Sequence, residues 1–138
     1  DKVVGSIGVF RKDNIHSLTA EIGYYIAEPF WGKGLGTCAI KQTCQYVFSN
    51  TDILRIFAEP FSYNIASCRI LEKSGFKDEG TLRSNAVKNG QILDMNCLLY
   101  TSDAADAKIR TLRISPNLQG DLQHITTCFN RHYIFVNY

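Results

Sequence analysis

Hydrophobic and polar residues alternate most regularly between Ala20 and Ala27, where Ala20, Ile22, Tyr24 and Ile26 share one face and Glu21, Gly23 and Tyr25 the other. That is the period of a strand. Pro29 ends the pattern, and from Lys33 to Phe48 there is no proline, and no glycine beyond the first turn. Within this stretch Leu35, Ala39, Thr43, Tyr46 and Val47 fall on one helical stripe, widened by Ile40, Cys44 and Phe48, which suits a helix laid on a sheet. Ile53 to Glu59 alternates again, with Ile53, Arg55 and Phe57 set against Leu54, Ile56 and Ala58. Strand, helix and strand within about 40 residues predict a right-handed parallel crossover.

On either side the pattern is shorter. Val3 to Phe10 is apolar and β-branched, and the polar turn Arg11 to His16 joins it to the alternating strand as a hairpin or meander. Asn64 is placed to cap a helix over Ile65 to Ser74, Gly75 to be the left-handed residue after it, and Phe76 to close the cap. Phe76 to Val87 and Gln91 to Leu93 read as extended segments joined by Lys88-Asn89-Gly90, a tight-turn signal. The order over residues 1–96 is β-β-α-β-α-β-β, an α/β domain.

Composition narrows the class. With 138 residues, 45% hydrophobic and 12% aromatic, the chain has enough apolar material for one core. Fifteen basic against thirteen acidic residues give a net charge of +2, too even to argue for nucleic acid or a membrane surface as partner. Five cysteines without a C-x-x-C and three scattered histidines indicate neither a disulfide framework nor a metal site, so reduced thiols in a cytoplasmic protein are expected. No apolar run approaches the roughly 18 residues of a membrane span. The N-terminus has neither a signal-peptide layout nor an initiator methionine, and the chain is expected to begin inside a longer gene.

The candidate chemistry starts at Trp31-Gly32-Lys33-Gly34-Leu35-Gly36-Thr37, three glycines at alternate positions before the long helix. Backbone N–H groups at such a turn crowd around one anion, so a ligand carrying phosphates is expected. A plain strand-to-helix turn fits the same spacing. A dinucleotide-binding turn needs glycine where Thr37 stands, although Glu59 lies at a suitable distance for a ribose contact. Asn64 and Ser67 fit helix capping as well as a ligand contact, Glu21 fits a solvated strand position, Tyr24 and Tyr25 fit core or rim aromatics, and the cysteines fit packing.

The succession EIGYYIAEPFWGKGLGT, NIASCRILEKSGF, EGTLR and KNGQILDM resembles the GNAT superfamily of acetyl-CoA-dependent N-acetyltransferases, and within it the branch of the ribosomal-protein N-terminal acetyltransferases. The resemblance covers about residues 3–96. It implies a mixed sheet with a central parallel pair, lacking the family's first strand and first two helices. Residues 1–96 are then the acetyl-CoA half of the domain, and much of the acceptor pocket belongs to the part not present. It further implies that Tyr25, Ile26 and Ala27 on the strand, Trp31, Gly32, Lys33, Gly34, Leu35, Gly36 and Thr37 in the loop, and Asn64 and Ser67 contact acetyl-CoA. Trp31 stands where the family carries Arg or Gln, which removes one polar loop contact, while Gly34 and Gly36 match.

Acyl transfer to an amine needs a base, an oxyanion donor and a proton for the leaving thiolate. Glu21 is the candidate base. The resemblance places a backbone N–H around Tyr25 and Ile26 at the oxyanion, and Ser67, with Tyr63 as a weaker substitute, at the thiolate. Direct acetyl transfer to a primary amine, on a protein N-terminus or a small molecule, is the expected activity. A non-catalytic CoA-binding relative and a dinucleotide-binding fragment are the alternatives. Cys97 to Asp106, CLLYTSDAAD, resembles translated sequencing adapter, so residues 97–138 are expected to be a non-native tail. Leu98, Leu99 and Tyr100 are nonetheless apolar and β-competent, able to complete the strand that begins at Gln91.

Overall fold

The computed structural model describes residues 3–103 and, for the backbone alone, residues 133–137. Strand β1 (Val3–Arg11) turns back through a short 3-10 segment at Asn14–His16 into β2 (Thr19–Ile26), and the two pair antiparallel from Gly5↔Ile26 to Arg11↔Ala20. Helix α1 (Leu35–Asn50) then crosses to β3 (Arg55–Ala58), which lies parallel to β2. Helix α2 (Ile65–Ser74) leads into the hairpin of β4 (Lys77–Lys88) and β5 (Gln91–Thr101), whose turn residues Asn89 and Gly90 have φ of 51° and 74°. Positive φ at both central positions is what a tight hairpin turn of this hand requires. β5 inserts antiparallel between β4 and β3, and β6 (Tyr133–Asn137) pairs antiparallel with β1. The sheet order is β4-β5-β3-β2-β1-β6, the mixed α/β sheet with a parallel crossover that the alternating and helical periods predict.

Both helices cover one face of this sheet and pack on each other. Ala20, Ile22 and Ile26 of β2, Ile56 and Ala58 of β3, and Leu98 and Tyr100 of β5 point into that layer and are buried. They meet Ala39, Ile40, Cys44 and Val47 of α1 and Cys68 and Leu71 of α2 in one cluster. Each fully buried aliphatic side chain contributes about 1.5–3 kcal/mol relative to exposure. The opposite face carries Thr19, Glu21, Tyr25, Arg55 and Phe57, all partly or fully exposed.

Local departures from the sequence reading have local causes. α1 buries Gly36, Ala39, Ile40, Thr43, Cys44 and Val47, while Tyr46 is 40% exposed. At 100° per residue Tyr46 sits about a quarter-turn off the centre of that face, too far round to be covered. β5 runs on from Leu93 to Thr101, and the apolar run Leu98 to Tyr100 does complete the strand, with Leu98 entirely buried. β3 keeps only the four central residues of the Ile53 to Glu59 segment. α2 spans the residues read for it, with Asn64 Oδ1 accepting from Ser67 N–H at 3.1 Å and Gly75 left-handed at φ 108°. At Gly5 a Cβ would stand 2.3 Å from the carbonyl oxygen of Tyr25, so only glycine lets β1 approach the end of β2 this closely.

Candidate active site

The site is built where two parallel strands part. β2 and β3 pair at Thr19↔Arg55, Ala20↔Ile56 and Glu21↔Phe57 and no further, although β2 continues to Ile26. Past Glu21 the β3 side of β2 therefore opens into a slot through the sheet. Ala27 N–H donates to Val4 carbonyl oxygen at 2.8 Å, so alternation along the strand turns the N–H groups of Ile26 and Tyr24 toward the slot and that of Tyr25 toward β1. Ile26 thus presents a main-chain donor where an oxyanion donor is sought. The Tyr25 ring is 64% exposed on the open face.

At the end of β2 the chain passes Pro29 in a short 3-10 segment and enters the glycine turn. Gly32 and Gly34 have φ of 73° and 74°, and Gly34 is the N-cap of α1. Cys38 N–H bonds Gly34 carbonyl oxygen at 3.0 Å, which starts the helical ladder one turn in. The N–H groups of Leu35, Gly36 and Thr37 ahead of it have no intrahelical acceptor. No acidic residue stands in this first turn, so nothing opposes an anion there. Gly36 is buried, and a Cβ there would meet Ile70 at 3.6 Å and Ile26 at 3.7 Å, ordinary contacts that pack α1 against β2 and α2. Lys33 lies over the Phe30 ring at 5.2 Å. This turn suits a group carrying phosphates.

Trp31 does more than occupy a place where another side chain was expected. Its indole N–H donates to Ile26 carbonyl oxygen at 2.7 Å, tying the loop to the end of β2.

On the helix side of the slot, α2 brings Ser67 to Tyr24. The Tyr24 hydroxyl lies 2.5 Å from Ser67 Oγ and 3.2 Å from Ser67 carbonyl oxygen. Burial pushes the Tyr24 phenol above its ordinary value, an effect that the Ser67 hydrogen bond partly offsets and the neighbouring Cys68 adds to. Asn64 is exposed at the start of α2, with its Oδ1 used by the cap. Tyr63 is 60% exposed and stacked on Phe61 at 5.4 Å.

Glu21 lies on the other face. Its carboxylate accepts from Lys12 Nζ at 2.9 Å, and Lys12 also stands over the Phe57 ring at 5.5 Å. Beside this pair the open face holds a cavity of about 380 Å³ lined by Lys12, Asp13, His16, Thr19, Arg55, Phe57, Glu59 and Cys97. Arg55 pairs with Glu79 at 2.8 Å, while its Nε is buried without a partner. Glu59 is placed on the wall of this cavity.

The thiols follow their burial. Cys44 is pushed up to about 12 by loss of solvent, and burial likewise raises Cys68 and Cys97. Cys128 lies outside the described residues. Among the described residues no group of three or more His, Cys, Asp or Glu side chains is placed to hold a metal ion, and no helix is long and apolar enough to cross a membrane.

The slot separates two kinds of group: the glycine turn, Asn64, Ser67 and Tyr24 on the helix face, Glu21 and Lys12 on the open face. Two of these residues, Tyr24 and Lys12, were not assigned to the site from the sequence. Tyr24 and Ser67 are far apart in the chain and meet only through the β2–α2 packing, and Lys12 carries no motif. Ser67 and Trp31 were expected at the site, but the partners they make, Tyr24 and the Ile26 carbonyl oxygen, were not.

The comparison with known proteins agrees with this architecture. The family model described as the acetyltransferase (GNAT) domain matches residues 1–77. The N-acetyltransferase YoaA of Bacillus subtilis strain 168, itself uncharacterized, is 38% identical over 95 residues, covering 69% of this chain and 53% of YoaA. The ribosomal-protein-S5-alanine acetyltransferase of Vibrio fischeri superposes with a TM-score of 0.69 at 24% identity, covering 74% of this chain and 56% of that one. RimJ of Mycobacterium smegmatis, solved in complex with CoA-disulfide, superposes with a TM-score of 0.68 at 24% identity, covering 81% and 56%. The chain spans about half the length of the curated relatives it matches. With more than half of its residues matched by the family model and its sheet opening beside the glycine turn, the chain belongs to the GNAT acetyltransferase family.

Proposed function

We propose that this chain carries the acetyl-CoA half of an N-acetyltransferase that moves an acetyl group directly to a primary amine. The observation that carries the reading is the parting of β2 from β3 after Glu21↔Phe57, with the glycine turn and Ser67 on one side and a carboxylate on the other. Acetyl-CoA supplies an activated thioester carbonyl. The N–H groups of Leu35, Gly36 and Thr37 hold its pyrophosphate, and the positive end of α1 favours the charge. Asn64 holds the pantetheine arm, the N–H of Ile26 receives the carbonyl oxygen as it gains charge, and Ser67 faces the sulfur. An amine reaching the slot from the open face meets Glu21, which takes its proton directly or through water. RimJ, whose solved structure holds CoA-disulfide on this fold, supports the choice of ligand.

Residues 1–96 are assigned all of these contacts. One observation favours a second reading, a CoA-binding relative without transfer: Glu21 is already engaged by Lys12. Acetyl-CoA consumption with release of free thiol, measured against peptide and polyamine acceptors in a longer protein carrying these residues, separates the two. Amine-dependent thiol release supports transfer. CoA binding with no release for any amine supports the second reading.

A further inference from the structure

We propose that Tyr24 is a positioning residue for departure of the thiol, donating its phenolic hydrogen to Ser67 Oγ so that the Ser67 hydroxyl hydrogen is aimed at the CoA sulfur. The inference rests on the reading of Ser67 as the group that faces that sulfur. Within the described residues the Tyr24 hydroxyl faces two acceptors on Ser67, Oγ at 2.5 Å and the carbonyl oxygen at 3.2 Å. Its single hydrogen is assigned to the nearer Oγ, with the carbonyl oxygen as the longer, secondary contact. Ser67 is held from its other side as well, its N–H bonded to Asn64 Oδ1 at 3.1 Å. A serine hydroxyl that accepts from the phenol has its own hydrogen left for a third partner.

Tyr24 stands on the helix-facing side of β2 in the stretch beyond the last pair with β3, where the slot opens. Its ring is partly buried, and burial keeps the phenol protonated through neutral pH.

The chemistry gives the pair a purpose. An alkyl hydroxyl is too weak an acid to protonate a thiolate unaided, whereas a phenol, even one raised by burial as Tyr24 is, is a far stronger acid. As the C–S bond breaks, its electron pair goes to sulfur. The Ser67 hydrogen moves to sulfur and the Tyr24 hydrogen moves to Ser67 Oγ, which leaves a phenolate on Tyr24. The acceptor ammonium gives up two protons in becoming an amide. One returns through water to Tyr24, replacing the hydrogen passed through Ser67 to the thiol, and the other leaves through Glu21 to solvent. Cys68, the next residue along α2, does not replace this pair, because it is buried and takes a hydrogen bond from Asn96 instead.

The test titrates the thiol of CoA bound to the 138-residue chain, followed by thiolate ultraviolet absorbance, in the unmodified protein, Tyr24→Phe, Ser67→Ala and the double variant. Tyr24→Phe keeps the ring and its packing, and circular dichroism checks the fold. Donation from the pair stabilises the bound thiolate, so at fixed pH each single variant should lower the bound thiolate fraction about tenfold. The double variant should match Ser67→Ala, and the CoA affinity of Tyr24→Phe near neutral pH should stay within about threefold. A thiolate fraction unchanged in Tyr24→Phe, or a further loss when Tyr24→Phe is added to Ser67→Ala, overturns the proposal and leaves the proposed function standing. Loss of CoA binding in a folded Tyr24→Phe variant also overturns it. Failure of the unmodified chain to bind CoA overturns both.

Discussion

The indole N–H of Trp31 donates to the carbonyl oxygen of Ile26 at 2.7 Å, so the side chain that opens the glycine turn is anchored to the strand that borders the slot. Turn and strand end are thereby held as one piece. Trp31→Phe keeps an aromatic side chain and removes the donor, and a hydrogen bond of this kind is worth about 0.5–1.5 kcal/mol. The melting temperature should fall by about a few degrees, and CoA affinity, by titration calorimetry, by up to roughly tenfold if the loosened turn must be ordered by the ligand. Affinity equal to that of the unmodified chain would mean that the anchor does not shape the turn.

Glu21 is the one carboxylate assigned to the proton of the acceptor amine. In a longer protein that carries these residues, Glu21→Gln should slow acetyl transfer by about a hundredfold or more, since positioned general bases contribute roughly 10²- to 10⁴-fold. The loss should be greatest at low pH, where the acceptor is most protonated. A loss that does not vary with pH would assign Glu21 to acceptor positioning, and no loss would leave it as the partner of Lys12 alone.

Alkaline pH should destabilise the fold through its buried thiol. Cys44 rises from an ordinary 9.0 to about 12 because burial disfavours the thiolate. The folded-state value is the higher one, so this contribution is full below pH 9, falls as the unfolded chain ionises, and is spent by about pH 12. Three units at 1.36 kcal/mol each give an upper figure of roughly 4 kcal/mol. Urea unfolding between pH 8 and 11 should show a falling midpoint that flattens in Cys44→Ala, measured against that variant's own lower starting stability. An equally steep fall in the variant would place the effect on the other groups raised by burial, Cys68, Cys97, Tyr24 and Tyr100.

The boundary of the folded unit is open to a paired test. Leu98 is fully buried in β5 between β3 and β4, so Leu98→Ala should cost about 2–5 kcal/mol by urea unfolding. Deleting Thr101–Tyr138 should leave CoA affinity within about threefold, or roughly 0.7 kcal/mol, since no contact with CoA is assigned there. A larger loss would show that this segment supports the site.

How much of this was legible in the sequence depends on range. Asn64 and Gly75 bound α2 correctly because cap and stop are local backbone chemistry. The glycine turn was legible for the same reason. Leu98 to Tyr100 were legible as able to complete β5, although Cys97 to Asp106 resembles adapter sequence; the burial of Leu98 comes from β3 and the helices, which the local sequence does not display. Tyr24 read as a core or rim aromatic because nothing near it in the chain announces Ser67. The role of Trp31 was invisible because it is made with a main-chain carbonyl, and residue type says nothing about that.

The central claim is that the glycine turn after β2 holds the pyrophosphate of CoA, and CoA titrated calorimetrically into the 138-residue chain and its Gly34→Val variant tests it most directly. Gly34 sits at φ 74° with open space around it, so a β-branched residue there strains the turn without crowding the core. The expected result is saturable binding by the unmodified chain, weakened at least about tenfold in a variant whose circular dichroism is unchanged, equivalent to about 1.4 kcal/mol. Equal affinity in the two, or no binding by the unmodified chain, would contradict the account.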